Sequence, residues 1–190
     1  KFRLIQQKST GVNQVGQQLM QGGDPVKKGN AILGTVRYIN MLAARINGAN
    51  YDQLRAMPQV PSQSRADDFT LNDEIRSGIG ELVPAAIAWS ESDDYYLKMS
   101  LEKNRALITK EAFETAQMPW LIQWANSLPN VAPIQASNFW RPDVLQNDRL
   151  TIAPGLTRAG SQQIDVFLSQ LLAALNNSPE AVSQVDLFRK

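Results

Sequence analysis

The 190-residue chain contains no cysteine and no histidine. Without cysteine there is no disulfide, no thiol nucleophile and no thiolate metal site, although reducing and oxidising compartments both tolerate such a chain. Without histidine there is no Ser-His-Asp or Cys-His arrangement, no imidazole zinc site and no near-neutral general base of the usual kind. Catalysis would fall to carboxylates, lysine, tyrosine or a bound cofactor. The residue pattern itself marks no catalytic, cofactor-binding or metal site. Long apolar runs are lacking too. The longest is Leu82–Trp89, LVPAAIAW, where a membrane-spanning helix needs about 20 residues. No secretory signal is visible. The first residue is Lys1 instead of Met, which points to a processed protein or a piece of a longer one.

What is present is helical amphipathicity. In Ser161–Asn177, Ile164, Phe167, Leu168, Leu171, Leu172 and Leu175 recur at i, i+3, i+4, i+7, i+8 and i+11, one stripe down an α-helix. Ser161 is the expected N-cap, and Asn176-Asn177-Ser178-Pro179 the stop. A hydrophobic content of 43% against 19% charged residues is enough to bury such a stripe in a core without cross-links, and it excludes wholesale disorder.

Earlier segments supply partners for it. Thr10–Gln21 predicts a helix closed by Gly22-Gly23, with Val12, Val15, Leu19 and Met20 on one side. Asp24-Pro25 restarts the chain as an N-cap followed by proline at the first helical position. The helix it opens is expected to run to Ile46, burying Ile32, Val36, Ile39, Leu42, Ala43 and Ile46, and to end at Asn47-Gly48. Gly29 and Gly34 inside it mark a close crossing or a fray. Tyr51–Met57 predicts a short helix, and the polar stretch with Pro58 and Pro61 a hinge over 58–69 between an N-terminal helical pair and the main bundle.

Thr70–Asp73 resembles a capping box ahead of Leu71, Ile75, Ile79, Leu82, Val83, Ala86 and Ile87, with Pro84 expected to kink or break that helix. Ser90–Asp94 predicts a further helix start with acids in the first turn, the helix continuing through Tyr95, Tyr96, Met99 and Leu107. Thr109 is the expected cap of another helix, Lys110–Leu128, kinked at Pro119. Over 129–160, Pro129, Pro133, Pro142 and Pro154 interrupt any period. That length predicts an ordered loop anchored by Phe139-Trp140. Ser178-Pro179-Glu180 opens a last helix through Phe188. These elements describe one all-α domain, an irregular bundle of six to eight helices with a long proline-containing ordered loop.

Charge is segregated along the chain. Residues 1–50 carry seven basic side chains against Asp24 alone, and residues 51–94 carry nine acids against Arg55, Arg65 and Arg76. Such blocks meet inside one fold, meet between copies, or stay apart as solvated faces. Lys27, Lys28, Arg37 and Arg45 are spread along their helix with few aromatics nearby, which is no strong nucleic-acid signal. Ser100-Leu-Glu-Lys103 fits S-x-x-K, but without the S-D-N and K-T-G companions it reads as a solvated helix face. Trp89, Trp120, Trp124 and Trp140 sit at spacings that favour core positions over a ligand pocket.

Two stretches carry resemblances. Leu19-Met20-Gln21 followed by Asp24-Pro25, Asn30-Ala-Ile32, Gly34, Tyr38-Ile39 and Leu42 looks like parts of the lytic transglycosylases, an all-helical murein-cleaving family with a Glu-Ser pair carrying its general acid. The only Glu-Ser here, Glu91-Ser92, follows these elements instead of preceding them. The resemblance would make Glu91 the single catalytic carboxylate of a murein hydrolase. The run GVNQVGQQLMQGGDPVKKGNAILG, residues 11–34, resembles helical segments in periplasmic components of type IVB (Dot/Icm-like) secretion and conjugation systems. That likeness implies a structural, interacting part of an envelope channel, periplasmic or envelope-associated, with protein partners or self-association. The leading expectation is therefore a non-enzymatic interaction domain, and the murein hydrolase is the alternative.

Overall fold

The computed structural model describes residues 23–57, 82–91, 94–114, 118–135 and 151–189. Helix is nearly all of the regular structure among them, so the fold is an all-α irregular bundle. The expected helix over Thr10–Gln21, the hinge over 58–69, the Thr70 capping box and the Phe139-Trp140 anchor lie outside the described residues.

Helix α1 is Pro25–Ile46, with the predicted bounds. Asp24 caps it, its side chain accepting from the backbone N–H of Val26 (2.9 Å) and Lys27 (3.4 Å). Pro25 costs the helix nothing at its first position, where the amide hydrogen has no helical acceptor. The buried stripe of Ile32, Val36, Ile39 and Leu42 gains Leu33 and Met41, because α1 packs against four other described helices. After Asn47-Gly48, Asn50 opens α2, Tyr51–Arg55, through a reciprocal capping box with Gln53.

Residues 82–88 form α3, continuous across Pro84. Helix α4 is Tyr95–Ala112, and Asp94, last of the acids that were expected to fill its first turn, is its N-cap. Thr109 starts no helix. It lies inside α4, and its hydroxyl donates back to the Arg105 carbonyl at 3.0 Å, the bond a mid-helix threonine makes when it does not cap. Helix α5, Pro119–Asn126, begins at Pro119 instead of bending there, because the fixed φ and missing N–H of proline suit a first turn better than an interior.

A two-residue antiparallel ladder pairs β1 (Ile134–Gln135) with β2 (Thr151–Ile152). A 3-10 turn, Pro154–Leu156, follows. Helix α6 is Arg158–Ala174, starting earlier than the sequence predicts because Thr157, not Ser161, is the cap. Thr157 Oγ1 accepts from the Gly160 N–H at 3.1 Å and donates to the Pro154 carbonyl at 2.6 Å, which locks the turn to the helix. At the other end Asn176 and Asn177 take left-handed φ values of 57° and 50°. Their amides bond the carbonyls of Ala173 and Leu172, the two reverse bonds of a Schellman ending. Helix α7, Pro179–Phe188, is capped by Ser178 as predicted.

The core closes where α1, α5 and α6 meet. Gly29 lets the Trp124 ring lie against α1: a Cβ there would fall 2.3 Å from Trp124 Cδ1. The indole N–H donates to Asn30 Oδ1 at 3.1 Å. Phe167 of α6 meets Trp124 and Trp120 edge-on, with ring centroids 4.8 and 5.7 Å apart. Gly34 has open space around it, so of the two glycines only Gly29 marks a crossing.

Candidate interaction surface

Helix α4 runs antiparallel to α1, and its two ends show it. At the start of α1, Lys28 Nζ bonds Glu114 just past α4 (3.1 Å) and lies 5.8 Å from the Trp120 ring centroid. At the other end, the Arg45 guanidinium holds the turn between α3 and α4. Its Nε and Nη2 donate to the Ser90 carbonyl at 2.9 and 2.7 Å, and Nη1 donates to the Ala49 carbonyl at 2.9 Å. A rigid fork with several donors suits such a clamp better than an ammonium would.

This clamped turn presents aromatic side chains to water. Trp89 is 69% exposed, Tyr95 70%, Tyr96 60% and Met99 49%. The tyrosine rings meet edge-on with centroids 5.9 Å apart. Their backbone is fixed: the Asp94 N–H bonds the Glu91 carbonyl, and the Asp94 carboxylate accepts from the Tyr96 N–H at 2.8 Å. Beside them Tyr51, Ala85, Ala88 and Trp89 line an open apolar depression of about 180 Å³. Ala85, Ala88 and Trp89 share one face of α3 by their i, i+3, i+4 spacing, and Tyr51 of α2 stands opposite.

Tyr95, Tyr96 and Met99, through which the sequence carried this helix, lie on its outer face. The buried face is Leu97, Leu101, Asn104, Ile108, Glu111 and Ala112. Two of those positions are polar, which hid the stripe from a hydrophobicity count. Asn104 satisfies its amide locally, donating to the Ser100 carbonyl at 2.7 Å. Of the tryptophans, Trp120 and Trp124 are core as expected, Trp89 is not, and Trp140 lies outside the described residues.

Of the residues in the murein-hydrolase resemblance, Leu19–Gln21 lie outside the described residues. Asn30, Ile32, Tyr38, Ile39 and Leu42 all belong to α1, where Asn30 holds Trp124 and Ile32, Ile39 and Leu42 are core. Glu91 sits in the turn at the far end of α1, exposed and outside the lining of the depression. Ser100 and Lys103 lie on α4, Lys103 exposed and the Ser100 hydroxyl 3.4 Å from the Asn104 amide. Among the described residues no group of three or more acids is placed to hold a metal ion, and no helix is long and apolar enough to cross a membrane.

What the arrangement offers chemically is an exposed indole, two phenols and a thioether around the start of α4. No family model, curated protein or solved structure matches this chain.

Proposed function

We propose that the chain is a non-enzymatic structural or interaction domain of a bacterial envelope assembly, such as a secretion or conjugation channel. The aromatic turn held by Arg45 is where it meets a protein partner. The observation that carries this reading is the exposure of Trp89, Tyr95 and Tyr96 on a backbone that hydrogen bonds hold in place. Apolar surface grouped in this way marks interaction sites. Tryptophan and tyrosine dominate the energetics of such sites, and a preformed platform loses little freedom on binding.

The likeness of residues 11–34 to type IVB components supports the envelope setting, and with it a periplasmic or envelope-associated location. The absence of histidine and cysteine supports a role without catalysis. Size-exclusion chromatography with light scattering at low and high salt tests the reading. The wild-type chain associates at low salt, and the double variant Trp89→Ser/Tyr96→Ser runs as a monomer. A wild-type monomer indifferent to salt contradicts it.

A further inference from the structure

The chain contains a single Asn-Gly pair, Asn47-Gly48, and the fold leaves both residues exposed at the C-terminal end of α1. Gly48 takes a φ of 90°, a backbone region that glycine enters without steric cost. The turn that ends the helix therefore calls for glycine. The same missing side chain leaves the Gly48 amide nitrogen unhindered toward the side chain before it. Every other asparagine precedes a residue with a side chain. Several are also held: Asn30 accepts from the Trp124 indole, Asn50 from the Gln53 N–H and Asn126 from the Gly155 N–H, while Asn104 donates to the Ser100 carbonyl.

The backbone just past Asn47 carries the Arg45 clamp. The Gly48 N–H bonds the Arg45 carbonyl and the Ala49 N–H bonds the Ala44 carbonyl, both at 2.9 Å. The Ala49 carbonyl in turn receives Arg45 Nη1, whose guanidinium holds Ser90 through Nε and Nη2. A change of chain length or charge at residue 47 thus acts on the group that fixes the aromatic turn.

We propose that Asn47 is a site of spontaneous deamidation, and that its products release the Arg45 clamp. Helix ends open readily, and opening of this one frees the Gly48 N–H from the Arg45 carbonyl. The amide nitrogen gives up its proton and attacks Asn47 Cγ. A succinimide closes as the new N–Cγ bond forms, the Cγ–Nδ2 bond breaks and ammonia departs with a proton. Water then opens the ring. Attack at Cγ yields aspartate, and attack at the main-chain carbonyl carbon yields isoaspartate; nothing is oxidised or reduced.

Isoaspartate adds a methylene to the main chain, about 1.5 Å, between Arg45 and the Ala49 carbonyl it holds. Both products place a carboxylate at the end of α1, where the helix dipole opposes negative charge. Two residues from Arg45, that carboxylate is a stronger acceptor for the guanidinium than the Ser90 and Ala49 carbonyls are. The turn bearing Trp89 and Tyr95 then loses its preformed shape, and association weakens. Only this last step rests on the assembly reading above.

Ageing the full chain at mildly alkaline pH tests the proposal. Peptide mapping by mass spectrometry locates the conversion, hydrogen exchange at residues 89–91 reports the clamp, and light scattering reports association. In the wild type, residue 47 converts ahead of every other asparagine. Exchange at 89–91 then rises about tenfold or more, and association falls in proportion to the converted fraction. Asn47→Gln, whose longer side chain closes the ring far more slowly, keeps both properties over the same period. Asn47→Ser, which has no amide to lose, serves should that variant fail to fold.

If residue 47 stays intact in the folded protein while the urea-unfolded chain converts there, the inference is overturned. If it converts and exchange at 89–91 does not change, the release of the clamp is overturned. If conversion and faster exchange occur in a wild type that never associates, the inference stands and the proposed function falls.

Discussion

Replacing Gly29 by alanine should destabilise the protein even though alanine is the better helix former. The new methyl would stand 2.3 Å from Trp124 Cδ1 and 2.6 Å from Cγ, so the indole must retreat by more than 1 Å to reach ordinary contact. Phe167 packs on the ring at 4.8 Å and resists that movement. The 3.1 Å bond from Trp124 to Asn30 stretches past useful length if the ring moves. Overpacking of this kind costs about 1–3 kcal/mol and loss of the hydrogen bond about 1 kcal/mol. The helix-propensity gain returns about 1 kcal/mol. The net is a loss of about 1–3 kcal/mol.

Gly34 is the internal control. It lies on the same helix with nothing within 4 Å of a built Cβ, so Gly34→Ala gains the propensity term alone, about 1 kcal/mol. Urea denaturation of the two variants reads the difference directly, and each kcal/mol corresponds to about 2–4 °C in Tm for a chain of this size. A Gly29→Ala protein as stable as the wild type, or matching Gly34→Ala, refutes the packing argument.

Arg45→Met keeps the aliphatic stem and removes the three bonds to Ser90 and Ala49. It should lower stability by about 2 kcal/mol and speed amide exchange at residues 89–91, and Arg45→Lys recovers only part of this. Thr157→Ala removes the cap of α6 and its tie to Pro154, with an expected loss of about 1–2 kcal/mol in chemical denaturation; Thr157→Ser restores most of it. Purified cell wall should show no turbidity loss with either the wild type or Glu91→Gln, and clearing by the wild type alone would revive the murein-hydrolase reading.

The fold was most legible where local chemistry and burial agree. Asp24-Pro25 and Ser178-Pro179 set the starts of α1 and α7 because a side-chain acceptor followed by proline is favoured in few other settings. The stripe of α6 was legible because Ile164, Phe167, Leu168 and Leu171 are all apolar and all buried. Where one residue type plays two roles the pattern misled. Thr109 and Ser161 are good caps by chemistry, but Thr109 lies inside the longer α4, and at α6 Thr157 had already bonded both the turn and the helix.

The proposed interaction surface was the least legible part. Tyr95, Tyr96 and Met99 fit a helical stripe as well as Leu97 and Leu101 do, and hydrophobicity alone does not say which stripe faces in. The polar Asn104 and Glu111 on the inner face obscure the buried stripe. The signal that separates the two is spacing: Leu97, Leu101, Asn104, Ile108 and Glu111 follow an unbroken alternation of four and three, the seam a helix presents to a neighbour.

Oxidative footprinting tests most directly whether the aromatic turn is a contact surface, since hydroxyl radicals react readily with exposed indole, phenol and thioether side chains. On going from dilute protein at high salt to concentrated protein at low salt, Trp89, Tyr95, Tyr96 and Met99 should become protected, with no change at the buried Trp120 and Trp124. Equal oxidation of those four side chains in both states, while the protein demonstrably associates, would contradict it.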